Sequence, residues 1–151
     1  MVDLFRKTYH PPGTAPGTLG IRVVEGGVQA PAADITALHY REQQAHPLSV
    51  EALPKALQGD ADQVVWVHVQ GRPSHEQLHY LGEHFGLHAL ALEDVVNTGQ
   101  RPKSDVFDDH VVVILSHARW VEDEITLEQV SLFVGENYVV SFNSGEEDPF
   151  D

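Results

Sequence analysis

Short runs of alternating hydrophobic and polar residues recur along the chain, and each run is about as long as one strand. A period of two, filled with β-branched and aromatic residues, is typical of strands in a sheet. The pattern predicts strands at six places: residues 19–25, 35–41, 64–69, 110–119, 127–134 and 138–142. Gly135-Glu136-Asn137 predicts a short hairpin loop between the last two strands.

Between these runs the apolar spacing changes to that of helices. One helix is predicted over residues 49–58. The clearest helix follows Ser74, which forms a capping box with Gln77, and it ends at Gly86; a shorter one is predicted over residues 88–96. Strands interleaved with helices, then an antiparallel set at the end, predict an α/β fold. We expect a mixed parallel and antiparallel sheet sandwiched between helices in an α/β/α arrangement.

The chain has about the length of one domain, with a lead-in of different composition before it. Residues 1–18 concentrate proline and glycine and predict a flexible lead-in, and residues 19–151 then form one α/β domain. No apolar run approaches the ~20 residues that span a bilayer. The first residues lack the apolar region of a signal peptide, so secretion is not expected.

The balance of charge favours cations over polyanions as partners. The chain has 23 acidic and 9 basic residues and a formal net charge of −14. Such a surface repels phosphate backbones, so no nucleic-acid partner is expected, although acidity also serves simply to keep a domain soluble. Cysteine is absent, which excludes disulfides, thiolate metal ligands and a cysteine nucleophile.

One segment matches a catalytic motif, H-E-x-x-H. On a helix, His75 and His79 would lie one turn apart and could share a zinc ion, with Glu76 as general base, so a zinc hydrolase is one alternative. Ten histidines make a chance match common, and no third ligand stands at the usual offset. His68 lies on a strand and is expected to be packed or hydrogen-bonded. Phosphate-binding loops and serine-hydrolase motifs are missing, so no enzyme is predicted.

Acidic residues cluster at several places, and hard divalent cations prefer carboxylate oxygens. Most such clusters are solvated surface. The clusters are Glu93-Asp94, Asp105 with Asp108-Asp109, Glu122-Asp123-Glu124 and Glu146-Glu147-Asp148. Glu93-Asp94 differs from the others because it interrupts an otherwise apolar short helix.

The segment from Phe85 to Lys103 carries F-G-L-H, L-E-D-V and Q-R-P-K in succession, and it resembles the cytoplasmic domain of the CorA family of divalent-cation channels. Residues 128–134 and 138–142 resemble the closing hairpin of that family, and residues 148–151 its lead into a long stalk helix. The likeness covers residues 17–151. Two positions depart from the family pattern, Ala89 from a usual proline and Gly99 from a common histidine.

The resemblance implies a regulatory domain on the cytoplasmic face of a bacterial inner membrane, in a homopentamer that transports Mg²⁺ or Co²⁺. It implies that Asp94 is a ligand of a regulatory Mg²⁺ ion and that Glu93 assists, directly or through water. The stalk and transmembrane helices, which would make the membrane contact, are absent from residues 1–151. A ZntB-like zinc transporter domain and a free-standing cation-binding module remain as alternatives, so Co²⁺ or Zn²⁺ could replace Mg²⁺.

Overall fold

The computed structural model describes residues 5–7, 32–42, 44–59 and 62–150 of the 151-residue chain. The strands in this part are β1 (Phe5–Lys7), β2 (Asp34–Arg41), β3 (Gln44–Pro47), β4 (Val64–Gln70), β5 (Lys103–Val106), β6 (His110–Val121), β7 (Glu124–Gly135) and β8 (Tyr138–Asn143). The helices are a 3₁₀ helix (Val50–Ala52), α1 (Leu53–Ala56), α2 (His75–Phe85) and α3 (Ala89–Val96). None of these helices is long and apolar enough to cross a membrane.

The eight strands of the described residues form one mixed sheet, whose main path runs β3-β2-β4-β8-β7-β6-β5. Parallel pairing joins β4 to β8 and β1 to β7, and the other neighbours are antiparallel. The long strand β7 pairs with β8 through residues 130–134 and with β1 through residues 125–127. The prediction of an α/β fold with a mixed sheet is confirmed.

The hydrophobic core lies between the sheet and the helices. Val65, Val67 and Val69 alternate along β4, are at most 1% exposed, and belong to one cluster with Leu78 and Leu81 of α2 and with apolar residues of α3. Burial of each such side chain contributes about 1.5–3 kcal/mol. The alternation that predicted β4 therefore reflects the side of the strand that faces the helices.

Helix α2 has the boundaries that its sequence predicts. The Ser74 hydroxyl accepts a hydrogen bond from the Gln77 amide, and the Gln77 side chain accepts one from the Ser74 amide. Gly86 ends the helix in the left-handed conformation, at φ 65°, which glycine adopts without strain. Gln77 also donates to the carbonyl of Ala33, so the cap fixes the helix to the chain just before β2.

The structure departs from the predicted elements at the edges of the sheet. Strands β3 and β5 were not predicted, because side chains on both faces of these short segments are mostly exposed and no alternation of hydrophobicity marks them. The helix predicted over residues 49–58 is divided into the 3₁₀ helix and α1. Phe5–Lys7, inside the predicted lead-in, forms strand β1. The strand predicted at residues 19–25 lies outside the described residues.

The two faces of the sheet are covered differently in the described part of the chain. The predicted sandwich had helices on both faces, and the helices of the described residues pack on one of them. Residues 144–150, which follow β8, lie against the opposite face, where the ring of Phe150 meets Trp66 and His68 of β4. We call residues 144–150 the exit segment.

Candidate metal site

Helix α3 holds the acid pair that the sequence singles out. The helix begins after His88, whose ring accepts a hydrogen bond from the Leu90 amide, and it buries its residues Ala91, Leu92 and Val95. These three buried side chains fix the orientation of the helix about its own axis. Glu93 and Asp94, on its remaining surface, are each partly exposed.

Asp94 forms an ion pair with a lysine of the same chain, Lys103. Its carboxylate lies 2.7 Å from the ammonium of Lys103, which also lies 2.9 Å from the carboxylate of Asp105. Lys103 and Asp105 are two residues apart on β5 and therefore point to the same side. Hydrogen bonds to Asp94 and then to Asp105 raise the pKa of Lys103, so the ammonium stays charged. The three groups together carry one net negative charge.

Glu93 has an oxygen atom without a partner. Its Oε1 is buried and receives no hydrogen bond from the described residues. A buried acceptor left unpaired costs about 1–3 kcal/mol. The two carboxylates are oxygen ligands of the kind that hydrated Mg²⁺ takes in proteins, and Oε1 of Glu93 needs a donor that the described residues do not supply.

Gln129 of β7 fixes the backbone that carries the acid pair. Its side chain donates to the main-chain oxygen of Asp94 at 2.8 Å and accepts from the amide of Gln100 at 3.1 Å. Gln129 is 7% exposed and also donates to Ser131, so the end of α3 and the following turn are held against the sheet. The sequence analysis missed this residue, although a glutamine on the inward-facing side of a strand is itself a signal.

A cavity of about 410 Å³ opens between the end of α3, the β6–β7 hairpin and the exit segment. Arg119 lines it and forms ion pairs with Glu128 at 2.5 Å and Glu147 at 2.6 Å. Neither Glu93 nor Asp94 is among its lining residues. The acid pair therefore lies outside this cavity, on the surface that α3 and β5 share.

The H-E-x-x-H segment forms the first turns of α2, as predicted. The rings of His75 and His79 are 6.3 Å apart on exposed positions, and His79 contacts Glu83 at 3.2 Å. Within the described ranges, no group of three or more histidine, cysteine, aspartate or glutamate side chains is arranged to hold a metal ion. The two imidazoles thus lack a third ligand from these residues, and the acid pair on α3 likewise needs a ligand from elsewhere.

Comparison with known sequences finds transport proteins. Residues 61–151 match the profile of the family described as CorA-like Mg²⁺ transporter protein. The cobalt/magnesium transport protein CorA of Thermotoga maritima is 30% identical over 142 residues, which are 92% of this chain and 39% of that protein. The chain thus spans about two fifths of the length of this relative.

Solved structures of the same kind share the fold. The CorA magnesium transporter of Methanocaldococcus jannaschii superposes with a TM-score of 0.58 at 16% identity, over 74% of this chain and 32% of that one. The ZntB cytoplasmic domain of Vibrio parahaemolyticus superposes with a TM-score of 0.52 at 12% identity, over 75% of this chain and 45% of that one. At these identities the likeness concerns the fold alone.

Proposed function

This chain belongs to the family of CorA-like Mg²⁺ transporter proteins, and from that premise we propose that it is the cytoplasmic domain through which a Mg²⁺ or Co²⁺ transporter senses its ion. The observation that carries the proposal is the acid pair on α3. Asp94 already pairs with a cationic group, the ammonium of Lys103, and Glu93, the preceding residue, has an oxygen without a partner among the described residues. The net charge of −14 adds a general attraction for divalent ions.

The chemistry of the pair suits a weakly held, hydrated ion. Mg²⁺ keeps several waters in proteins and takes only one or two carboxylates directly. We assign Asp94 as the direct ligand and Glu93 as an acceptor for a water of the ion. A further carboxylate would come from a stalk beyond Asp151 or from a neighbouring subunit. Two carboxylates ~6 Å apart repel by about 3 kcal/mol at an effective dielectric constant near 20, and a bound divalent ion removes this repulsion.

Sensing also requires several sites that act together. A site that is half occupied at the prevailing ion concentration stabilises the bound state by only ~0.4 kcal/mol. A ring of identical subunits multiplies this small free energy, and a homopentamer would provide five copies of the site. Occupied sites would hold the subunits together in the closed state of the transporter.

A zinc transporter domain is the second candidate, because the ZntB cytoplasmic domain shares the fold. The exposed pair His75 and His79 supplies imidazoles, which zinc prefers to carboxylates. A zinc domain predicts that Zn²⁺ binding depends on these histidines rather than on Asp94.

The test asks how well Mg²⁺ protects the full-length transporter from limited digestion by a protease. We expect Asp94→Asn to raise the Mg²⁺ concentration of half-protection at least about tenfold, because one charged ligand is lost. Asp108→Asn is the matched control, since it removes an exposed acid of the same type and should leave the midpoint unchanged. Equal midpoints for Asp94→Asn and the unmodified protein would refute the assignment.

A further inference from the structure

Helix α2 carries two imidazoles that lie outside the hydrophobic core and outside the candidate site on α3. His75 and His79 are one turn apart, and residues with this spacing lie on the same face of a helix. The helix buries Leu78, Leu81 and Phe85 on its other side, so the histidine face points to solvent. His75 is exposed, and the side chain of His79 is 56% exposed. Both rings are therefore open to a dissolved ligand.

The two rings are close enough to share one metal ion after a small movement. Their centroids are 6.3 Å apart, and the ring planes are tilted by 32°. Zinc lies about 2.0–2.1 Å from each imidazole nitrogen, so two rings that bind one tetrahedral ion have centroids about 5 Å apart. The rings of His75 and His79 must therefore approach each other by about 1 Å. Because both side chains extend into solvent, small changes of their torsion angles achieve this movement.

A carboxylate next to His79 prepares its ring for a metal ion. The side chain of Glu83, one further turn along α2, lies 3.2 Å from Nδ1 of His79. A negative charge at this position favours a hydrogen on Nδ1 and leaves the lone pair of Nε2 for a ligand. Histidines that bind metals in proteins usually have a carboxylate or a carbonyl at their other nitrogen, which orients the ring and makes it a better ligand. Glu83 gives His79 this arrangement.

A second pair of neighbouring histidines, on the sheet, has different surroundings. His39 of β2 is directly opposite His46 of β3, and their ring centroids are 6.2 Å apart. When the amide of Gln63 is oriented to accept from Arg41, its nitrogen donates to Nε2 of His39 at 2.6 Å. This ring nitrogen is therefore already used, and a cationic side chain lies close to it. The pair on α2 is the better metal site, and the pair on the sheet serves as its internal comparison.

We propose that His75 and His79 bind one divalent ion of the class of Zn²⁺, Ni²⁺ and Cu²⁺, with Glu83 as the carboxylate that orients His79. These ions prefer imidazole nitrogen, whereas Mg²⁺ and Mn²⁺ prefer oxygen ligands. Because no third histidine, cysteine, aspartate or glutamate of the described residues completes the group, water takes the remaining positions of the ion. The site is therefore open and binds more weakly than a structural zinc site with four protein ligands.

This site differs in chemistry from the candidate site on α3. The net charge of −14 attracts divalent ions to the whole surface, and the type of ligand then decides where each ion binds. The inference does not rest on the proposed function, and the site is expected whichever ion the transporter carries. A zinc transporter domain requires more than this site, since its regulation would also have to follow Zn²⁺ rather than Mg²⁺.

The test follows the ring nitrogens of the ten histidines by NMR while Zn²⁺ is added to the chain without an affinity tag. We expect the rings of His75 and His79 to respond first, with one ion bound per chain, and an excess of Mg²⁺ should not reverse the response. His79→Gln should abolish the preference for this pair. Glu83→Gln should weaken Zn²⁺ binding about tenfold, the lower end of the effect of a carboxylate that orients a liganding histidine.

Two matched controls separate this site from general attraction to an acidic surface. Glu76→Gln removes the same charge from an exposed position of the same helix, and His46→Gln removes one imidazole from the pair on the sheet. Both variants should keep the Zn²⁺ affinity of the unmodified chain. A response centred on His39 and His46 or spread over all the rings, an unchanged affinity in His79→Gln, or equal losses in Glu83→Gln and Glu76→Gln would overturn the proposal. None of these results bears on the candidate site on α3.

Discussion

Lys103→Met is the substitution whose effect on the proposed metal site can be worked out most fully. The ammonium of Lys103 lies 2.7 Å from the carboxylate of Asp94, so a divalent ion that binds there must displace the ammonium toward Asp105. Methionine has a similar length and no charge. The change therefore removes a competitor for Asp94 and leaves the carboxylate itself intact, and we expect Mg²⁺ to bind more tightly.

The size of the gain follows from the charges. An ion of charge +2 about 6 Å from the displaced ammonium is repelled by ~1.4 kcal/mol in bulk water, which corresponds to tenfold in affinity. Physiological salt, with a screening length of ~8 Å, reduces the repulsion by about half, to roughly threefold. The dielectric constant of bulk water sets the lower bound of this repulsion, because Lys103 is 38% exposed and Asp94 25% exposed, and an effective value near 20 would raise the repulsion about fourfold.

The assay is the Mg²⁺ concentration that gives half-maximal protection from a protease in the full-length protein, at low and at physiological salt. The midpoint should fall about tenfold at low salt and threefold at 0.15 M salt in Lys103→Met. Lys55→Met is the control, because it removes the same charge from an exposed position on α1. A midpoint that rises, or that falls equally in both variants, would refute local competition at Asp94.

Two further predictions concern the packing around the site. Gln129→Leu should lower the free energy of unfolding by about 2 kcal/mol, since two partly buried backbone groups, the carbonyl of Asp94 and the amide of Gln100, lose their partner. Urea denaturation measures this loss, and a loss as small as that of exposed Gln58→Leu would contradict the prediction. Burial, with a contribution from Asp109, raises the pKa of Tyr138 to about 12, so its share of the stability is complete below pH 10 and is lost as the pH rises through 12. Between pH 9 and 11.5 the free energy of unfolding, measured by urea denaturation, should fall more for the unmodified chain than for Tyr138→Phe. An equal fall in both would contradict a buried phenol with a raised pKa.

The central elements of the fold were predictable because local and long-range requirements agree there. The alternating valines of β4 mark the face that meets the helices, and the capping box of Ser74 with the glycine at 86 bounds α2 from both ends. The edge strands β3 and β5 leave no such pattern, because neither face of these strands is consistently buried. Their pairing depends on neighbours that the local sequence does not reveal.

In the candidate site, too, the acid pair was predictable from the local sequence, whereas its partners were not. Glu93 and Asp94 were selected because two acids interrupt an apolar helix, and the structure places both on its partly exposed surface. The partners of Asp94 were not predicted. Lys103 reaches it only because β5 forms beside α3, and Gln129 reaches its carbonyl from 35 residues away. Contacts of this kind follow from tertiary structure, and no spacing along the chain encodes them.

Paramagnetic broadening by Mn²⁺, a hard divalent probe for an Mg²⁺ site, tests the central claim on this chain most directly. In an NMR titration, substoichiometric Mn²⁺ should first broaden the amides of residues 93–95 and 103–105, and Asp94→Asn should abolish that selectivity. Broadening centred on His75 and His79, or spread evenly over the acidic surface, would contradict a divalent-cation site at Asp94.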